Sequence, residues 1–591
     1  MTGPVHANLA GLGPRCDALD EAAARQLFNA TTYQVPVHLH RQPGARVVWV
    51  NPRALQDDPA RPPGVAATGA YGDHLLERTA FVSDAQAADG PSGGTAIGWA
   101  DRYGGSGIGQ NGGSGRAAVI GAYHVKGTGP TPLIGAGTDR AHASGGAYLE
   151  ECLREAVLSE LVAAEFPHGA VPTLGILDTG LIQHWPDADP PCSEPRTLLV
   201  RPAFLRPAHF ERAVQFADGN PLGGAHDEAR VARFFAHASR CFGRAGLDTL
   251  YRTLWSHWAA QMAYAWVHRL PHCGDSTSNI CFDGRLVDFG AMAAMPGWAS
   301  IGTIWGELPF GDELALLSRA APALARHWGR HVDPSFAAPA AVDALLHAAR
   351  QRYRAVVNVE ILRLCGLDRA RAEAVAHAEQ AAAGPGSLAD AIARLISHYR
   401  REHATIFGGT PGLRTPWDIA AVWQATPPPH LVRLRRLLER HVPATGADIL
   451  ARAAFRTRGR PALYRETLKA TLHGALGAGL AGAPAPAIDA FICRQIVDNR
   501  RDGADDPVDA VPLGFARNGA GGYALFEHTA TGRRFAVQEW GDAPAGVQRR
   551  RPLADVTACA LVFGDGGAMF EGAVAQWRAP WPAPPSTMQP Q

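Results

Sequence analysis

The amino-acid sequence predicts an α+β protein in two lobes, a β-rich one followed by a helical one. Three observations carry the expectation. Residues 103–129, YGGSGIGQNGGSGRAAVIGAYHVKGTG, set ten glycines around Arg116 and Lys126, and the stretches Ala117–Ile120 and Tyr123–Lys126 read as a β-hairpin. Residues 148–165, and long segments beyond 225, repeat apolar side chains at the three- and four-residue steps of a helix. From about residue 505 the pattern changes to short strands separated by Gly, Asp and Pro. At 591 residues, 46% hydrophobic, the chain can bury a large core in roughly two to four domains.

Residues 1–95 are rich in Pro, Gly and Ala with short apolar stretches such as Arg46–Val50, and read as an irregular N-terminal extension. Residues 96–205 follow as the β-rich lobe. Glycine backbone brings N–H groups close to phosphate oxygens, and a lysine on the next strand neutralises their charge. Gly107, Gly109 and Gly112 spell a dinucleotide fingerprint, but a hairpin follows where that fold needs a helix, and no Walker-type Gly-Lys-Ser/Thr occurs. What fits is the order found in a protein-kinase N-lobe: glycine loop, hairpin, strand lysine, then a helix with a glutamate partner. In 148–165, Leu149, Cys152, Leu153, Ala156, Val157 and Leu161 form one apolar stripe, and the acidic first turn suits the helix dipole. Glu155, at the stripe's edge, reads either as the partner of Lys126 or as a solvated helix residue, with Glu160 the second choice.

Residues 206–500 read as the helical lobe and its extension. Ala229–Leu270 carries Trp255, Trp258, Tyr264 and Trp266 at helical spacing, which favours core over a ligand shelf. Val342–Leu364 and Leu388–Arg401 are further helices, with Gly/Pro breaks at 384–386 and 426–429. Between Ala229–Leu270 and Val342–Leu364 lies PHCGDSTSNICFDGRLVDFG, residues 271–290, where a turn at Asp283-Gly284 sets Asn279 and Asp288 at one end of a short hairpin. Two such oxygens beside nucleotide phosphates suit a hard cation, Mg2+ or Mn2+. His272, Cys273 and Cys281 match no common zinc spacing, and Pro271 separates His268 from His272. Residues 505–580, with Tyr523–Glu527, Arg534–Glu539 and Thr557–Phe563, read as a small β-rich appendage, and the Pro-rich tail 581–591 as disordered.

These motifs resemble the selenoprotein O family, protein adenylyltransferases with a kinase-like bilobal fold that binds the nucleotide in a flipped orientation. The likeness rests on Gly113-Ser114-Gly115-Arg116-Ala117, on Lys126-Gly127-Thr128-Gly129-Pro130-Thr131-Pro132, on Leu153–Glu160, on Arg201 to Arg206 with His209-Phe210-Glu211, and on Asn279 with Asp288-Phe289-Gly290. It spans roughly residues 97–295. The resemblance implies that Gly113, Gly115, Arg116, Lys126, Arg201 and Arg206 hold ATP phosphates, that Glu155 orients Lys126, and that Asn279 and Asp288 hold the metal. It also implies AMP transfer to an acceptor, a protein hydroxyl or a peptide or small-molecule carboxylate. Guanidinium forks suit phosphate oxygens in any case.

The departures bear on the chemistry. The family's aspartate before the metal-binding asparagine is Ser278 here, and Asp275 is the nearest carboxylate on that side. Three readings stay open: Asp275 serves as the base, the nucleophile is already anionic, or the domain only binds nucleotide as a scaffold. Composition does not separate AMP transfer from phosphoryl transfer. A net charge of +1 argues against a general nucleic-acid binder, and short basic runs such as 433–440 do not change that. No apolar run reaches membrane-span length and no signal-peptide pattern opens the chain, so no membrane partner and a cytoplasmic location are expected. Nine scattered cysteines argue against a disulfide framework.

Overall fold

A computed structural model describes residues 27–28 and 34–499, apart from 84–92, 106–111, 136–137, 189, 215–224, 296–300, 304–305, 309–311, 383, 400–418, 424–425, 443–448, 450–451, 454–455, 458–459 and 478–481, together with the backbone of five strands between 510 and 561. Gly107, Gly109, most of the first 33 residues and the tail 581–591 lie outside the described residues. The architecture is mixed α+β, a curled antiparallel sheet joined to a helical region.

The sheet has nine strands: β1 (Val35–Arg41), β2 (Arg46–Val50), β3 (Phe81–Ser83), β4 (Thr95–Arg102), β5 (Gly113–Ile120), β6 (Tyr123–Lys126), β7 (Ala147–Tyr148), β8 (Gly175–Trp185) and β9 (Cys192–Pro202). Their order is β2-β8-β9-β6-β5-β4-β1-β3, with β7 on β9. The reading of 1–95 as irregular is therefore corrected, since three strands and the helix Thr68–Thr79 come from it. Val35, Val37 and Leu39 are buried with Pro36 and His38 exposed between them, a period-two pattern that the surrounding Pro and Gly obscured.

Two helices close the sheet. Thr68–Thr79 lays Tyr71 and Leu75 against Val50, Val125, Leu177, Leu198 and Val200 on one face. The helix Leu149–Glu165 packs Cys152, Leu153, Ala156, Val157 and Leu161 with Val119, Ile176 and Leu199 on the other. Successive strand residues point to opposite faces, so doubly covered strands read as continuous apolar runs.

The helical region starts with Ala225–Val267, kinked where Gly243 takes φ 68°. Trp255, Trp258, Tyr264 and Trp266 are all buried, so the aromatics are core. Pro339–Leu364 packs along this helix, while Arg465–Leu476 and Ala485–Asn499 return to lie on Leu149–Glu165. Tyr523–Glu527 and Arg534–Glu539 fall within two strands of a separate antiparallel sheet made of β10 (Ala510–Asn518), β11 (Gly521–His528), β12 (Arg534–Trp540), β13 (Arg550–Pro552) and β14 (Ala560–Leu561), in the order β13-β12-β11-β10-β14.

Candidate active site

Register places the cations. In antiparallel pairing, residues directly opposite share a face. Lys126 on β6 stands opposite Ala117 and Leu199, and His124 opposite Arg201, so Lys126, His124 and Arg201 project from one face. The helix Leu149–Glu165 offers Glu151 and Glu155 to that face at the i, i+4 spacing of neighbouring helical residues.

Lys126 is the centre of the arrangement. Its ammonium contacts Glu155, lies 2.9 Å from Glu151 Oε1 and donates to Asp288 Oδ1 at 3.3 Å. Arg201 pairs with the second oxygen of Glu155. Arg116 grips Glu151 with both arms, at 2.8 and 3.1 Å, and donates to the Gly146 carbonyl at 3.2 Å. Burial and the neighbouring Arg116 oppose the charge of Lys126, yet Asp288, Glu151 and Glu155 hold it above its ordinary pKa. Burial would raise the Asp288 carboxyl, but Lys126, Arg201 and Arg116 hold it far below the usual carboxylate range. Its side chain is 45% exposed, so a fully ionised oxygen faces open space.

That space is a cavity of about 780 Å³ lined by Ser114, Gly115, Arg116, Lys126, Arg201, Arg206, Asn279 and Asp288, among others. Eight Lys and Arg side chains line it against five carboxylates. Asn279 donates Nδ2 to the Gly274 carbonyl at 2.7 Å, its Oδ1 faces the Ser278 hydroxyl at 3.5 Å, and its backbone carbonyl takes the Val287 N–H at 3.1 Å. An ionised carboxylate and an amide oxygen fit a hard divalent cation that completes its shell with phosphate and water. No group of three or more His, Cys, Asp or Glu able to hold a metal occurs among the described residues.

Other expected residues fall elsewhere. Asp275 does not line the cavity; it lies beside Trp258 and His272 among others, and burial raises its carboxyl. Gly113 is also off the wall. Its φ is 135°, and a Cβ there would come 2.3 Å from the Asp101 carbonyl, so it serves the β4–β5 junction. Gly115 is on the wall, where a Cβ would meet Ile134 at 2.7 Å. Arg206 lines the cavity and is anchored by the Ser278 carbonyl at 2.8 Å, by Asp101 at 2.9 Å and by the faces of Tyr103 and Phe204. Glu160, the second choice for Lys126, is engaged with Arg53 at 2.7 Å.

Sequence reasoning missed three groups. Glu151, one of the acidic residues of the helix's first turn, bridges Arg116 and Lys126. Asp101 gathers Arg206, His209 at 2.8 Å and His124 at 3.3 Å; burial opposes its ionisation, but Arg206 and His209 keep it ionised. Arg465 and Lys469 reach the cavity from the distant helix Arg465–Leu476. No local pattern marks the last two, since only packing of that helix on Leu149–Glu165 brings them in. No protein-family model matches the chain, and no curated protein matches it. No helix among the described residues is long and apolar enough to cross a membrane.

Proposed function

We propose that the chain is a Mg-ATP-dependent nucleotidyltransferase with a kinase-like bilobal arrangement, moving AMP from ATP to an acceptor. One observation carries the reading: Lys126 sits between Glu155 and Asp288 on the wall of a cavity that also holds Arg116, Arg201, Arg206 and Asn279. Preorganised cations around a water-accessible space suit a triphosphate, and nucleotidyl transfer needs little beyond charge neutralisation and in-line positioning. Magnesium, bound by Asp288 and Asn279, would supply further neutralisation of the phosphate oxygens. The resemblance to adenylyltransferases through the Lys126–Pro132 motif favours the α-phosphate over the γ-phosphate as the reacting centre.

The test is incubation with Mg2+ and ATP labelled on the α- or the γ-phosphate. Label is expected in product from the α position, and label only from the γ position makes the protein a phosphotransferase. Asp288→Asn is expected to lower turnover by at least about a hundredfold. Asparagine tolerates the left-handed backbone at this position, φ 65°, so the variant should unfold as cooperatively as the parent. Unchanged labelling by that variant would count against the assigned metal site.

A further inference from the structure

We propose that the acceptor presents a carboxylate, held by Arg154, Arg465 and Lys469, and that the product is an acyl adenylate; the proposal rests on the nucleotidyl-transfer reading above. These three cations line the same cavity as Lys126. Arg154 projects from Leu149–Glu165, one helical turn beyond Glu150, and Arg465 and Lys469 are one turn apart on Arg465–Leu476, which packs against that helix. Arg465 donates to the Gly290 carbonyl at 2.5 Å, two residues beyond Asp288, so the cluster adjoins the assigned metal site.

The cluster is crowded with like charge. Glu150 is approached by Arg154 at 3.3 Å, Lys469 at 3.9 Å and His473 at 3.2 Å. The Arg154 side chain is 6% exposed, and its Nε faces Glu150 as an ion pair without hydrogen-bond geometry. Burial, then the charge of Arg154, push the Arg465 guanidinium below its ordinary pKa. Glu466, which does not line the cavity, also meets Lys469 at 3.6 Å and Arg465 at 4.0 Å, so three cations share two carboxylates. The cation left over at the cavity wall is stabilised by an anion entering the cavity, and a guanidinium fork suits a carboxylate.

Every carboxylate on the wall is also already engaged. Glu151 is gripped by Arg116, Asp187 lies 2.6 Å from Arg140, Glu194 accepts from Trp185 at 2.7 Å, Glu150 is shared as above, and Asp288 accepts from Lys126 at 3.3 Å. A hydroxyl acceptor would need a free proton acceptor within hydrogen-bond reach. An acceptor that is already an anion needs none. One carboxylate oxygen attacks the α-phosphorus, a C(O)–O–P linkage forms, the bond to the bridging β-phosphate oxygen breaks, and the electron pair leaves with pyrophosphate. No proton moves, and the step reverses when pyrophosphate is supplied. A hydroxyl acceptor would instead call on His142, which lines the cavity with its Nδ1 2.5 Å from Asp139.

The experiment is pyrophosphate–ATP exchange with the full chain, Mg2+, labelled pyrophosphate and a tripeptide library. One form of the library carries free C-terminal carboxylates; the other is C-terminally amidated, lacks Asp and Glu, and retains Ser, Thr and Tyr. Exchange is expected with the free-acid library alone, with hydroxylamine diverting product to hydroxamate and His142→Ala retaining exchange. Arg465→Gln and Arg154→Gln should each raise the half-saturating concentration of the free-acid library about tenfold or more while leaving that of ATP within about twofold. AMP incorporation from the amidated library, loss of exchange in a folded His142→Ala variant, or binding of a fluorescent ATP analogue with no exchange from either library would overturn the carboxylate assignment. Failure to bind that analogue would overturn the nucleotidyl-transfer reading itself.

Discussion

Glu211 shows how burial alone sets the behaviour of a side chain close to the site. Its carboxyl accepts from the Thr277 hydroxyl, two residues before Asn279, and desolvation pushes its pKa from 4.5 to about 7 despite Thr277, Arg230 and Arg326. The folded state keeps this proton up to about pH 7, whereas the unfolded chain releases it near 4.5. The folded state therefore binds more protons inside that window, and stability falls as pH rises through it. The contribution is fully present below the window and lost above it. Glu211→Gln keeps an acceptor oxygen for Thr277 and should flatten the slope, on the order of 3 kcal/mol across the window, as read from urea unfolding on either side of it. An unaltered slope would show that Glu211 titrates normally. Sequence alone named Glu211 within the resembling segment but assigned it no role, because its charge state depends on surroundings distant in the chain.

At the scale of elements, the Lys126–Pro132 motif is a packing device. Gly127 and Gly129 take φ of 99° and 102°, and Gly145 closes the turn by accepting the Gly129 N–H at 3.0 Å. Gly145 itself has φ 73°, and a Cβ there would fall 1.9 Å from the Pro130 nitrogen. Gly145→Ala should destabilise by about 1–3 kcal/mol from backbone conformation alone, with steric displacement of Pro130 adding to it. Thermal unfolding checks this, and a Tm equal to the parent's would refute the close approach. The hairpin, Lys126 and the helix of Glu155 were all legible because each depends on local period and turn chemistry. Strands β1 to β3 were not, since their buried face becomes visible only once Thr68–Thr79 and the sheet cover it.

Across the whole molecule, the helix of Glu151 and Glu155 is held from below by chain hundreds of residues away. Arg460 meets Glu165 at 2.7 Å with both side chains almost wholly buried, at 1% and 0% exposed. Asp489 receives Trp49 and Arg53 across the same region, at 3.2 and 3.1 Å. Arg460→Met removes a guanidinium from a buried carboxylate and should cost about 3–5 kcal/mol, because the lost partner leaves charge in a poorly solvating interior. Chemical denaturation of the variant measures this, and a loss under about 1 kcal/mol would mean that water reaches Glu165. By itself the sequence determined the β-then-α order, the glycine-rich hairpin with its lysine, and the pair Asn279 and Asp288, all matters of spacing along a few dozen residues. Only the tertiary structure decided that Asp275 turns away from the cavity while Glu151, Arg465 and Lys469 face it, because side-chain direction and the meeting of distant helices follow from packing, which no local pattern encodes.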